Sequence, residues 1–429
     1  MISGMSATLQ QLCNVATIGI FSILLARSVS VDEFGQYSFA TTIAGVIATV
    51  GTAGLYGLAV RDYAKDPSGR ATTTVGVLIV REVLTATLYL SVFGALALVR
   101  VDSETQLVTA IAALGAFAKV LDGPELWFQA NLKTHVTAFV KIVCMCSFFG
   151  IRLFALLMNA SLLTLVWLYV IEFAVTALAI LVVYWRFTRP SSFEVPSLVR
   201  IRELAKSGFP LAVSACLNQL SLRSGVVVLQ LVSGATGVAV YSAAARIADI
   251  AFVLPMAYTT ATMSVLIAVR KSSAATEYAR YLQRSYSLAC WAGIAFAAIL
   301  LAIGVPLIDV IYGPRYADSA LVLQIIAIGT PFVCMAAVFS KWIIVENRLW
   351  MSAGRYALGA IFNLGLCLVL VPEFGADGAA VALVASTISA SFLFTFLFKD
   401  SRASGVMMAR AFVAPALTVW TRVKARRAQ

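Results

Sequence analysis

Leu220-Ser221-Leu222-Arg223-Ser224-Gly225-Val226-Val227-Val228-Leu229 and Tyr241-Ser242-Ala243-Ala244-Ala245-Arg246-Ile247-Ala248-Asp249-Ile250 lie inside two long apolar runs between Phe209 and Val269. Each run is long enough to cross a bilayer as a helix. Each also carries charge where lipid offers no solvation. Arg223 sits about two-thirds of the way along the first, and Arg246 and Asp249 sit one helical turn apart in the second. An ionisable group at membrane depth costs roughly 3 kcal/mol or more, so it faces a partner or a water-filled cavity. Two membrane helices with a polar interior between them are therefore the unit from which the rest of the chain is read.

The whole sequence agrees. Of 429 residues, 61% are hydrophobic and 12% charged, where a soluble domain has about twice that charged share. Apolar windows give twelve expected spans, at about 7–29, 37–60, 71–99, 107–128, 135–158, 161–185, 207–231, 238–269, 284–311, 320–345, 350–371 and 378–398. Their length is that of spanning helices, not of the short alternating strands of a barrel. Pro255 is expected to kink the eighth or end its membrane part. The fold class is an all-α integral membrane protein with 12 transmembrane helices.

The net charge of +12 does not point to nucleic acid, because the basic residues sit in short connections and build no basic domain. One alternating set of connections holds Arg61, Lys65 and Arg70, then Lys133, then Arg186, Arg189, Arg200, Arg202 and Lys206, then Arg270, Lys271, Arg280 and Arg284, then Arg348. The opposite set offers Arg27, Arg100 and Arg315. The positive-inside rule places the first set, and both termini, in the cytoplasm. No basic n-region precedes the first apolar run, so no cleavable signal is expected. The seven cysteines all fall in apolar segments without CxxC spacing, and read as small packing residues.

A proline-bearing loop at the midpoint divides the chain into an N-terminal six-helix bundle (1–185), a cytoplasmic linker (186–206), a C-terminal six-helix bundle (207–398) and a basic tail (399–429) with a possible interfacial helix. A repeat supports the division. Asn14 and Tyr37-Ser38-Phe39-Ala40 recur as Asn218 and Tyr241-Ser242-Ala243-Ala244 at one offset. Trp127-Phe128-Gln129-Ala130-Asn131 has a looser echo in Trp342-Ile343-Ile344-Val345-Glu346-Asn347. Duplicated six-helix units are a transporter architecture.

The deep charges are the candidate site. Besides Arg223, Arg246 and Asp249 they are Arg81 with Glu82, Lys119 with Asp122, Glu125, and Glu172. For Arg81-Glu82, Lys119/Asp122 and Arg246/Asp249 the competing reading is a neutralised pair that braces helix packing. Glu172 lacks a local partner and is expected to answer Arg152 or Arg223 across helices. Lys141, Arg152 and Lys341 lie close enough to helix ends to snorkel. Arg223 has no acid within a turn. Its planar fork suits phosphate and stays charged at any relevant pH, so an anionic cargo is expected.

Several stretches in order along the chain resemble the polysaccharide (O-antigen type) flippases of the multidrug/oligosaccharidyl-lipid/polysaccharide exporter superfamily. They are Leu25-Ala26-Arg27 with Glu33-Phe34-Gly35-Gln36-Tyr37, then Trp127-Phe128-Gln129-Ala130, then Tyr241-Ser242-Ala243-Ala244-Ala245-Arg246-Ile247. Tyr312-Gly313-Pro314-Arg315-Tyr316, Asn363 and Pro372-Glu373-Phe374-Gly375-Ala376-Asp377-Gly378 complete the set. The resemblance implies two six-helix bundles, V-shaped around a central cavity, working by alternating access in a bacterial inner membrane. It implies an undecaprenyl-diphosphate-linked oligosaccharide as cargo, moved for surface polysaccharide assembly, and a polysaccharide polymerase or chain-length machinery as partners. Arg223 is then the leading substrate contact, followed by Arg246, Arg81 and Lys119. Glu172, Asp249 and Asp122 are the candidates for coupling to a proton or cation gradient, and no cofactor is implied. Two rivals stay open: a drug/cation antiporter of the same superfamily, which would favour unpaired carboxylates, and a membrane glycan polymerase or transferase, which would need a sizeable extramembrane loop. No P-loop is present for direct ATP hydrolysis.

Overall fold

A computed structural model describes residues 2–52, 70–98, 101–188, 196–272, 275–348 and 350–413. Among them there is no strand. The helices are α1 (Ile2–Ser28), α2 (Val31–Thr52), α3 (Arg70–Leu98), α4 (Ser103–Val120), the short α5 (Glu125–Ala130), α6 (Thr134–Leu157) and α7 (Leu162–Thr188). They continue as α8 (Leu198–Ser272), α9 (Ala275–Tyr312), α10 (Ser319–Val345), α11 (Trp350–Ile388) and α12 (Phe394–Leu397), with a π turn (Ser389–Leu393) before the last.

Nine of the described helices are long and apolar enough to cross a membrane. Two of these are double. α8 is broken at Gly234 (φ 67°, ψ −166°) and α11 at Gly375 (φ 53°, ψ −127°), conformations from which a side chain is sterically barred. Splitting both at their glycines and adding α2, the described part of the second expected span, yields the twelve spans read from the sequence. After Gly234 the second leg of α8 runs on to Ser272. The helix thus continues past Pro255.

Local chemistry sets the helix starts. Ser30 and Glu33 form a capping box at α2: Glu33 Oε2 accepts from the Ser30 backbone N–H at 2.9 Å, and Ser30 Oγ accepts from the Glu33 N–H at 3.2 Å. Two orphan donors are thereby satisfied. Asp102 caps α4 by accepting from the backbone of Glu104 and Thr105. The turn Leu121–Pro124 ends α4, so the single expected span at 107–128 is a helix, a turn and a six-residue helix.

The chain forms two compact units, Met1–Gln219 with Leu229–Ser242, and Leu220–Val228 with Ala243–Gln429. In the first, α1 packs on α6, α2 on α4, and α4 on α7. One of its apolar clusters joins Val77, Leu126, Trp127, Phe128, Tyr184 and Leu204, with the Trp127 and Phe128 rings edge-on to Tyr184. In the second, α9 packs on α10 and α10 on α11. Its core includes Tyr286, Cys334, Phe339 and Trp342. The tail helix at 402–413 also belongs there. Met408 and Ala411 are fully buried, Gln283 and Trp291 of α9 donate to the Met407 and Ala411 carbonyls, and Phe412 lies 5.6 Å from Phe332. The remaining tail, with Arg422, Lys424, Arg426 and Arg427, lies outside the described residues, as do Arg61, Lys65 and Arg189.

The two tryptophan stretches end their helices in the same way. Lys133 N–H donates to the Phe128 carbonyl across Leu132 (φ 57°), and Arg348 N–H donates to the Ile343 carbonyl across Asn347 (φ 54°). The same turn also closes α6 at Asn159. The turn is thus a helix-ending device, and the shared feature of the pair is the tryptophan one turn before it.

Candidate functional site

The deep charges fall into two classes, paired and unpaired. The paired ones are in the first unit. Arg81 on α3 is buried and its Nη1 lies 3.5 Å from Asp122 Oδ1. Asp122 stands in the turn after α4, and its other oxygen lies 3.2 Å from Lys141 Nζ on α6. Lys141 also reaches Glu125 on α5. This chain of alternating charge ties α3, α5 and α6 to one turn. A second pair joins Arg152 of α6 to Glu172 of α7, and the Arg152 guanidinium lies over the Phe21 ring at 5.5 Å and the Tyr169 ring at 5.7 Å. Removing either partner of such a buried pair strands a charge.

These contacts revise the sequence-based pairing. Lys119 is not in ion-pair contact with Asp122. α4 stops one residue after it, the turn carries Asp122 away, and the Lys119 ammonium lies over Phe173 at 5.4 Å. The signal for this was present in Gly123-Pro124, a dipeptide that breaks helices. Lys141 and Arg152 do not snorkel, since both turn inward to carboxylates. Of the two partners expected for Glu172, it takes Arg152.

The unpaired class comprises Glu82 and Lys119 of the first unit, which form no ion pair among the described residues, and further charges in the second unit. Arg223 is half-buried on α8 and forms no ion pair among the described residues. The helix around it is pinned through its other face. Ser224 Oγ donates to Asn363 Oδ1 at 2.8 Å, and Asn363 Nδ2 donates to the Ser221 carbonyl at 2.7 Å. Ser386 Oγ lies 3.2 Å from Ser221 Oγ and donates to the Gly359 carbonyl at 2.8 Å. Ser221, Ser224, Asn363 and Ser386 are all at least nine-tenths buried. A satisfied polar cluster in an apolar surround is rigid and specific, so Arg223 rides on a fixed helix. Arg246 and Asp249 are likewise half-buried. One turn apart on the same helix, they make no ion pair with each other.

One buried cation was missed in the sequence. Arg355 on α11 is 4% exposed, donates to Ser340 Oγ and the Tyr356 hydroxyl at 2.8 and 2.7 Å, and lies over the Phe339 and Tyr356 rings. It has no carboxylate in ion-pair reach among the described residues. Its place near the start of a span looks like that of a snorkelling residue, and its neighbours come from α10, so nothing local marks it.

Comparison with known proteins follows the same lines. Residues 5–269 match the model of a family described as polysaccharide biosynthesis protein. The capsular polysaccharide biosynthesis protein CapF of Staphylococcus aureus is 19% identical over 385 residues, covering 88% of this chain and 93% of CapF. Among solved structures, the lipid II flippase MurJ in an inward closed conformation superposes with a TM-score of 0.73 at 13% identity, covering 98% of this chain and 92% of MurJ. An inward-facing multidrug resistance MATE family transporter of the MOP superfamily gives 0.68 at 18% identity, covering 92% and 94%. At these identities the structural likeness shows the fold, that of a multi-pass helical membrane protein. The family match covers well over half of the chain, and with it this chain belongs to the polysaccharide biosynthesis protein family.

Proposed function

We propose that the chain moves an undecaprenyl-diphosphate-linked oligosaccharide across the bacterial inner membrane by alternating access, as a step in surface polysaccharide assembly, with no chemical step of its own. The observation that carries the reading is Arg223: a half-buried guanidinium, free of ion pairs among the described residues, on a helix whose other face is held by a cluster of four buried polar side chains. A bidentate donor fixed in this way suits a diphosphate or an acidic sugar. Arg246 is the second candidate contact. Arg81 is weaker, because Asp122 already engages it, and Lys119 lies over Phe173 without an ion pair among the described residues. A cationic-drug antiporter calls for unpaired carboxylates; Asp122, Glu125 and Glu172 are in ion pairs, which leaves Glu82 and Asp249 as the deep acids without one among the described residues. Coupling to a proton or cation gradient falls to Glu172, Asp249 or Asp122. The family and the CapF likeness support the cargo class, the resemblance to the polysaccharide flippases supports the inner membrane, and the charge bias supports both termini in the cytoplasm.

The test is Arg223→Ala in the native host. Surface polysaccharide is expected to be lost while the protein's abundance in the membrane is unchanged, and Arg223→Lys is expected to keep part of the activity. Normal polysaccharide in the alanine variant removes Arg223 from the site.

A further inference from the structure

We propose that a groove between α3 and the first turns of α8 holds the hydrocarbon tail of a polyprenyl diphosphate, with Arg202 and Lys206 at its mouth meeting the diphosphate. The inference rests on the flippase reading above and adds to it a docking place for the lipid. Val80, Val83 and Leu84 line one wall and Ile201, Ala205 and Phe209 the other, around a hollow of about 240 Å³. A second hollow of about 630 Å³ shares Ala205 and Phe209 and adds Arg202, Glu203 and Lys206. All of these residues belong to the first unit. From Ile201 to Ala212, which also lines it, the groove follows α8 for about 16 Å at the helical rise.

Charge selects the occupant. Glu203 is answered by Arg200 at 3.2 Å. Arg202 and Lys206, one turn apart and exposed, form no ion pair among the described residues. The groove thus has an apolar floor and an uncompensated double cation at one end. Its ligand must be apolar along its length and strongly anionic at one tip. A slot between two helices takes one chain, and two adjacent cations match a diphosphate better than the single phosphodiester of a two-tailed phospholipid. Arginine supplies the fork and lysine a mobile point charge.

The full chain in phosphatidylcholine nanodiscs is titrated with undecaprenyl diphosphate, with phosphatidylglycerol and inorganic diphosphate as competitors. Ala205→Trp, which fills the floor, and the double variant Arg202→Gln/Lys206→Gln are each expected to weaken binding by about tenfold or more, equivalent to about 1.4 kcal/mol. Neither competitor is expected to displace the probe. Benzoyl-phenylalanine placed at Val83 is expected to crosslink the probe, while the same group at Phe154, exposed on α6 and not among the groove-lining residues, is not, which decides the matter even if Ala205→Trp fails to fold. Undiminished binding in both variants, equal crosslinking at both positions, or displacement by either competitor overturns the groove. Wild-type protein that binds no undecaprenyl diphosphate overturns the flippase reading as well, so the two failures are distinguishable.

Discussion

Arg152 and Arg223 are both arginines at membrane depth, yet their surroundings predict opposite consequences of removal. Arg152 is held by Glu172 and two aromatic rings inside the first unit. Arg152→Ala leaves Glu172 buried and unanswered, and is expected to destabilise the protein by about 3–5 kcal/mol. The double change Arg152→Leu/Glu172→Leu removes both charges and is expected to recover most of that loss. Thermal unfolding of the purified protein in detergent reads both, and a double variant as unstable as the single one would contradict the pair's assignment. Arg223 answers no carboxylate among the described residues, so Arg223→Leu removes a charge that no described acid compensates. Its unfolding temperature is expected to stay level or rise while polysaccharide assembly fails, and a large drop would mean that the arginine braces the fold instead of serving cargo. Asn363 separates positioning from contact. Asn363→Ala leaves Ser224 Oγ without its acceptor and the Ser221 carbonyl with only the 3.5 Å bond from Ser386 Oγ, at about 1–3 kcal/mol for the stranded hydroxyl. Transport and stability are expected to fall together there, unlike at Arg223.

Among the elements, α2 shows how closely backbone packing constrains a membrane helix. A Cβ on Gly35 would lie 1.9 Å from the Ala235 carbonyl oxygen, just past the Gly234 break, whereas a Cβ on Gly45 of the same helix meets nothing within 4 Å. Gly35→Ala is therefore expected to cost at least about 1–3 kcal/mol through overpacking. Gly45→Ala is expected to gain about 0.5–1 kcal/mol from helix propensity. Unfolding midpoints of the two variants check the contrast, and equal effects would refute the close approach. The twelve spans were legible because apolar length is a local property, and so was Arg223, because the absence of an acid within a turn is local too. The partners of Asp122, Lys141 and Arg355 were not. Each partner comes from another helix, and the one local clue, Gly123-Pro124, was outweighed by an apolar run that seemed to continue through it. The docking of the 402–413 helix against α9 was hidden for the same reason, since short apolar stretches look alike on a lipid surface and on a protein core.

At the scale of the molecule, the spans fix which connections share a side, and the basic residues choose which side that is. α6 has 24 residues, about 36 Å at the helical rise, enough to carry Lys133 and Asn159 to opposite faces of a bilayer. α10 does the same for Arg315 and Arg348. Arg348 and Lys133 stand with the basic set and Asn159 and Arg315 with the sparse one, so the positive-inside bias makes a signed prediction. In a variant with all seven cysteines replaced, single cysteines at Asn159 and Arg315 are expected to react with a membrane-impermeant maleimide added to intact cells. Cysteines at Lys133 and Arg348 are expected to react only after lysis. All four positions are exposed, so burial does not confound the result. An inverted pattern would leave the alternation of spans intact and reverse the orientation. The groove mouth at Arg202 and Lys206, which belongs to the basic set, would then open on the outer leaflet, and a lipid-linked sugar made in the cytoplasm would have no entry there. The same four reactivities thus decide whether the docking groove stands on the side from which cargo is loaded.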